Sequence, residues 1–134
     1  MKSTFFCPYC KGRLNVSNNI VFSVKTDDNR VGLVFLNPKL GDYHTTTHPS
    51  FNISEGELVE FYCPVCHANL AALEFGENLV KVYMMNENQK VYEILFSGIA
   101  GEHCTYILKD REIEHFGEDY NKYTNYFGEK YHLE

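Results

Sequence analysis

Two cysteine pairs of identical spacing, Cys7-Pro8-Tyr9-Cys10 and Cys63-Pro64-Val65-Cys66, constrain this chain more than any other feature. Their flanks repeat as well. The stretches 5–14 and 61–70 match in both cysteines, the proline, the leading Phe (Phe5 and Phe61) and the closing Leu (Leu14 and Leu70). A Cys-x-x-Cys turn presents two thiolates to one side, and two such turns supply four sulfurs to one tetrahedral ion. Cys7, Cys10, Cys63 and Cys66 are therefore the expected ligands of a metal, which would tie the start of the chain to its middle.

The 134 residues suit a single domain, 1–134, long enough to bury a core of its own. No apolar run approaches the roughly 20 residues of a membrane-spanning helix, and the stretch after Met1 lacks the apolar segment of a signal peptide. The expectation is a cytoplasmic protein without membrane contact. Five cysteines, four of them in pairs, then point to reduced thiolates on a metal rather than to a disulfide framework. The net charge is −6 and uneven: residues 1–66 carry six acidic and six basic side chains, residues 67–134 twelve and six. That balance opposes nucleic acid as a partner, since phosphate binding draws on clustered Lys and Arg. A local basic patch around Lys2, Lys11 and Arg13 is the exception.

Along the chain, Ile20, Phe22 and Val24 alternate with more polar neighbours, Asp27-Asp28-Asn29 reads as a turn, and Val31 to Leu36 returns as a partner strand. Residues 37–57, rich in Gly, Pro, Ser, Thr, Asn and His, read as a long loop. Leu58 to Tyr62 delivers the chain as a strand into the second knuckle, and Leu70 to Phe75 reads as a short strand after it. Leu79 to Met85, Lys90 to Phe96 and Cys104 to Lys109 predict a three-stranded antiparallel meander over 79–109. From Glu118 to Phe127, Tyr120, Tyr123 and Phe127 recur at helical spacing and predict a short amphipathic helix over about 118–127. The expected fold is α+β, mostly antiparallel β.

At the paired knuckles the sequence resembles the zinc-ribbon proteins, a functionally diverse group that shares two CPxC-type knuckles around one structural zinc. The resemblance covers residues 5–14 and 61–70 and implies Cys7, Cys10, Cys63 and Cys66 as ligands of Zn2+. Two departures stand out. The 52 residues between the knuckles (11 to 62) exceed the usual spacing of roughly 15–20, so the first hairpin and the long loop read as an insertion in the ribbon. Glycine often follows the second cysteine of such a knuckle, yet Lys11 and His67 stand there. Iron of rubredoxin type would use the same four sulfurs, but the absent glycines favour zinc. Cys7-Pro8-Tyr9-Cys10 alone looks like the glutaredoxin motif, though the residues after it are poor helix formers. Cys63-Pro64-Val65-Cys66-His67 alone fits c-type haem attachment, which would leave the other pair without a role.

Other candidates are fewer. Cys104 follows Glu102 and His103, but neighbours on a strand point to opposite faces, so Cys104 reads as a small buried residue rather than a nucleophile. His44 and His48 flank three threonines in the long loop, with Asp42 the nearest carboxylate, and read as solvated. His67 is expected to hydrogen-bond near the metal site. Tyr120, Tyr123 and Phe127 read as core, while Tyr126 and Tyr131 fit either core or an interface. A closed four-sulfur site leaves no open position for substrate. The function expected is a non-enzymatic binding or regulatory module whose partner is another protein or a second copy; a small iron or thiol redox protein is the alternative.

Overall fold

The computed structural model describes residues 3–39, 45–48, 51, 53–72, 78–100, 102–109, 112–118 and 132–133. Eleven strands occur among them: β1 (Thr4–Phe6), β2 (Asn15–Val16), β3 (Asn19–Thr26), β4 (Val31–Leu36), β5 (Thr45–Thr47), β6 (Val59–Tyr62), β7 (Leu79–Met85), β8 (Val91–Ser97), β9 (Thr105–Lys109), β10 (Glu112–Phe116) and β11 (His132–Leu133). They form two sheets. The first runs β1-β7-β8-β9-β10-β11, and the second runs β2-β3-β4-β5 with β6 also paired to β3. All pairs are antiparallel except β10 with β11.

The apolar alternation of the long strands explains why there are two sheets. Phe22, Val24 and Val34 from the second sheet and Val80, Val82, Met84, Ile94 and Ile107 from the first bury one shared core between them, as strands with one apolar face must. Phe22 meets Phe61 edge-on at 5.3 Å and Phe96 across the interface at 5.7 Å. A second buried cluster, with Leu95, Tyr106, Leu108 and Ile113, belongs to the opposite face of the first sheet.

The two sheets repeat one another. Val24 pairs with Gly32 on one side and Phe61 on the other; Met84 pairs with Tyr92 and Phe5. Val34 pairs with Thr47, and Ile94 with Ile107. The β3–β4 and β7–β8 turns close alike, Thr26 N–H to Arg30 O and Asn86 N–H to Lys90 O, with left-handed Asn29 and Gln89 (φ 67° and 63°). The chain is thus a tandem of two similar units, each a lead strand, a knuckle and an antiparallel meander. The lead strand of each unit pairs within the sheet of the other: β1 with β7, β6 with β3. Symmetry breaks at Gly32, where a Cβ would come within 2.8 Å of the Phe51 ring.

This corrects the α+β class expected from sequence. Among the described residues there is no helix, and so none long and apolar enough to cross a membrane. Of the predicted helix over about 118–127, only Glu118 is described, and it lies in the turn after β10; Tyr120, Tyr123, Tyr126, Phe127 and Tyr131 lie outside the described residues. Glu112–Phe116, unassigned by pattern, is a strand because Ile113 can bury one face beside Leu108. The hairpin read as an insertion in a ribbon is instead the counterpart of β7–β8. Inside the expected loop 37–57, Thr45–Thr47 adds to β4.

Leu14 and Leu70 occupy the joints. Leu14 N–H donates to Phe5 O on β1 and its carbonyl accepts from Val21 N–H on β3; Leu70 N–H donates to Phe61 O on β6 and its carbonyl accepts from Lys81 N–H on β7. Both side chains are buried, 0% and 1% exposed. Leu14→Ala and Leu70→Ala are each expected to cost about 2–5 kcal/mol, the range for a large-to-small change in a packed core, measured by urea unfolding of the metal-loaded protein. A cost below about 1 kcal/mol for either would show that these joints do not carry the packing assigned to them.

Candidate metal centre

Each knuckle is a tight turn closed by its own backbone. Lys11 N–H donates to Cys7 O and Cys7 N–H to Gly12 O; His67 N–H donates to Cys63 O and Cys63 N–H to Ala68 O. Closing the turn drives the residue after the second cysteine into left-handed backbone, φ 63° at Lys11 and 67° at His67. This is the conformation that glycine adopts without a Cβ clash. The two positions at which glycine was missed from the sequence are therefore the strained ones.

The turns bring all four sulfurs together, every pair within 4.8 Å. Cys7 Sγ lies 3.8 Å from Cys66 Sγ, and Cys10 Sγ lies 3.7 Å from Cys63 Sγ. A tetrahedron with metal–sulfur bonds of about 2.3 Å has edges of about 3.8 Å, so the cluster fits one ion bound by four thiolates. None of the five cysteines is in a disulfide. Cys7 and Cys63 are completely buried, and Cys10 and Cys66 lie at the surface.

Backbone amides surround the sulfurs. Tyr9 and Cys10 N–H groups point at Cys7 Sγ (3.3 and 3.5 Å), Val65 and Cys66 N–H groups at Cys63 Sγ (3.3 and 3.4 Å), and Gly12 N–H at Cys10 Sγ (3.2 Å). These donors favour thiolate and orient it. Gly12 was not singled out from the sequence. Its signal was present two positions beyond the second cysteine, the place where a bare N–H can approach the sulfur.

Protonation follows from burial and crowding. Burial pushes the Cys7 thiol up to about 12, against the opposing amide bonds from Cys10 and Tyr9, with Cys66 and Cys10 adding to the rise. Burial also acts upward on Cys63, but the N–H groups of Cys66 and Val65, with contacts from Cys10 and Cys66, outweigh it and hold that thiol below its ordinary value. Four thiolates at this spacing would repel one another, so a divalent cation that displaces the remaining thiol protons is the species that lets all four ionise together.

The remaining sequence candidates do not join this cluster. Cys104 is completely buried with Tyr106, Leu108 and Ile113. His103 Nδ1 lies 2.9 Å from Glu118 Oε1, and Glu102 Oε1 accepts the Ser97 hydroxyl at 2.7 Å. His48 is exposed beyond β5, while Asp42 and His44 lie outside the described residues. His67 is exposed and is not among the residues whose ligand atoms cluster.

No family model matches the chain, and no curated protein or solved structure is significantly similar to it. What the site can do is therefore argued from its own geometry.

The strain at His67 is open to a direct check. Replacing it with glycine removes a Cβ from left-handed backbone while keeping the His67 N–H bond to Cys63 O. His67→Gly is expected to stabilise the metal-loaded protein by about 0.5–1 kcal/mol in denaturant unfolding. Lys11→Gly should gain less, because it loses the Lys11 Nζ bond to Pro8 O (2.8 Å) and the contact over the Tyr83 ring (4.7 Å). A destabilised His67→Gly would refute the strain account.

Proposed function

We propose that this protein is a zinc-stabilised, non-enzymatic binding module in which Cys7, Cys10, Cys63 and Cys66 hold one structural Zn2+. The observation that carries the reading is the pair of Sγ–Sγ separations, 3.8 and 3.7 Å, between cysteines of different knuckles; four thiolates complete a tetrahedral set around one zinc. Such a site stabilises the fold and does not activate water. Five free thiols suit a reducing compartment such as the cytoplasm.

The partner in this reading is another protein or a second copy. Tyr9 and Val65, the middle residues of the two knuckles, keep 60% and 61% of their surface exposed beside the centre. Apolar side chains presented on a rigid turn suit protein contact. The net charge of −6 disfavours nucleic acid.

One observation favours a second reading. Five amide N–H···S contacts among the described residues are the kind of donor that tunes the potential of a four-sulfur iron centre. Iron would make the protein a small redox carrier and would colour it.

Elemental analysis with a visible spectrum separates these readings. The expected outcome is one zinc per chain and no colour, with metal lost from Cys63→Ser and kept in Cys104→Ser. Metal loss should lower the melting temperature by roughly 10 °C or more, because ion binding and folding are linked. Stoichiometric iron in protein expressed with zinc in excess would overturn the zinc reading, and full metal content in Cys63→Ser would overturn the four-cysteine site.

A further inference from the structure

The inner faces of the two sheets do not close on each other everywhere. Between them lies a cavity of about 410 Å3. Protein interiors are close-packed, with few voids larger than a water molecule, whereas small-ligand sites span roughly 300–1,000 Å3 and are mostly apolar. By size the cavity belongs to the second kind.

Its walls come from both units at corresponding positions: Phe5 and Phe61, Val34 and Ile94, Leu36 and Phe96 all line it. The space is thus built by the way the two meanders face one another, and is not a local gap around one side chain. Phe61 and Phe96 meet edge-on at 5.3 Å with their planes 87° apart, so one side of the cavity is braced from sheet to sheet. Leu36 and Phe96 pack on the core cluster yet remain half-buried, which leaves an apolar way in.

Polar groups enter the lining where β4 and β8 end, and they are already paired. The Ser97 hydroxyl donates to Glu102 Oε1 at 2.7 Å, and its oxygen accepts the Ile99 N–H at 3.0 Å. Gly98 N–H donates to Asn78 O, and Gly98 O accepts from Val59 N–H. Among the described residues no buried side-chain nitrogen or oxygen lacks a hydrogen-bond partner. A ligand that carried strong donors or acceptors into this space would lose their water and meet groups that are already satisfied.

Charge does not select the ligand either. Lys39, Glu102 and His103 line this end, and Glu118 beside it meets His103 Nδ1 at 2.9 Å. One ammonium, two carboxylates and one imidazole sum to neutral or slightly negative, so an anion gains nothing there. The Glu118 carboxylate is 75% exposed, and a cation paired with it would sit in water outside the cavity, where such a pair is worth little. Glu102 is held by Ser97. What the cavity offers a ligand is the removal of apolar surface from water.

We propose that the cavity between the sheets binds one uncharged, apolar small molecule, seated between Leu36 and Phe96. Such a molecule gains by leaving water for a preformed apolar space and gives up no hydrogen bonds to do so. A charged analogue of the same shape has to shed hydration that the lining does not replace. The inference does not depend on which metal occupies the four-cysteine centre, only on the two sheets being held as described.

The test is fluorescence titration of metal-loaded protein with N-phenyl-1-naphthylamine, an uncharged probe that brightens in apolar surroundings, followed by competition. The probe is expected to saturate at one per chain. 1-Methylnaphthalene should displace it, and 1-naphthoate and 1-naphthylmethylammonium, the same rings bearing opposite charges, should do so at least tenfold less well. Leu36→Trp should fill the space from its half-buried side and weaken the probe at least tenfold with metal content and melting temperature kept; Ile94→Phe, from the other sheet, serves if the first variant loses its metal or its cooperative melting. Lys39→Glu should leave probe binding within about twofold. Absence of saturable binding by the metal-loaded wild type would overturn the proposal. So would a charged ring competing as well as 1-methylnaphthalene, a tenfold loss in Lys39→Glu, or binding that survives the filling variants. Metal content, measured on the same samples, reports separately on the four-cysteine reading.

Discussion

Each sheet of this protein depends on a strand supplied by the other half of the chain. β1 leads the first unit but pairs with β7, and β6 leads the second but pairs with β3. Neither meander can therefore complete its sheet without the other, and the two knuckles sit where the chain crosses between them. At the crossings the backbone is bonded in both directions, Leu14 to β1 and β3, Leu70 to β6 and β7. The sulfurs converge because these crossings lie side by side, so the four-cysteine cluster and the strand exchange are two aspects of one arrangement.

This arrangement sets the energetic role of a metal ion. Bringing Cys7 beside Cys66 and Cys10 beside Cys63 closes a loop of more than fifty residues, whose entropic cost grows only slowly with length. Burial and the shared inner core offset much of it, since Phe5, Phe61, Val24 and Met84 are all buried there. What the core cannot relieve is the crowding of four sulfurs, two of them fully buried. An ion at their centre exchanges a repulsive cluster for four coordinate bonds. The ion is thus expected to hold the crossings in register, while the sheets supply the bulk of the burial.

The site was legible in the sequence because its chemistry demands identity: a sulfur ligand admits no substitute, so Cys, Pro and the closing Leu recur letter for letter. The duplication of the strands was not legible, because a strand needs only alternation. Val24 and Met84 do the same work, as do Phe22 and Val82, and Val34 and Ile94, without matching in type. The connection from knuckle to strand also differs in length, Leu14 to Val21 against Leu70 to Lys81, which destroys a simple alignment. The 37–57 stretch concealed β5 because Thr45-Thr46-Thr47 carries no apolar face of its own and is held by pairing with β4. Glu112–Phe116 was similarly hidden, since among its described side chains Ile113 alone is completely buried. The helix over about 118–127 was read from three aromatics at helical spacing, a pattern that side-chain periodicity alone cannot tie to an observed element.

The same exchange accounts for where open space remains. A knuckle and its Leu fix the two sheets at one crossing, and on the far side Val59 N–H to Gly98 O, Gly56 N–H to Ala100 O and Ala100 N–H to Glu57 O stitch them again. Between these fixed points the inner faces are held apart by bonded backbone and cannot collapse to fill a void, as a core joined only by side chains would. Leu36 and Phe96 stay half-buried at that span for this reason. An ion bound by Cys7, Cys10, Cys63 and Cys66 would lock the crossings and so hold the faces of the sheets at a set separation. The place to look for a small ligand is consequently the space between the sheets.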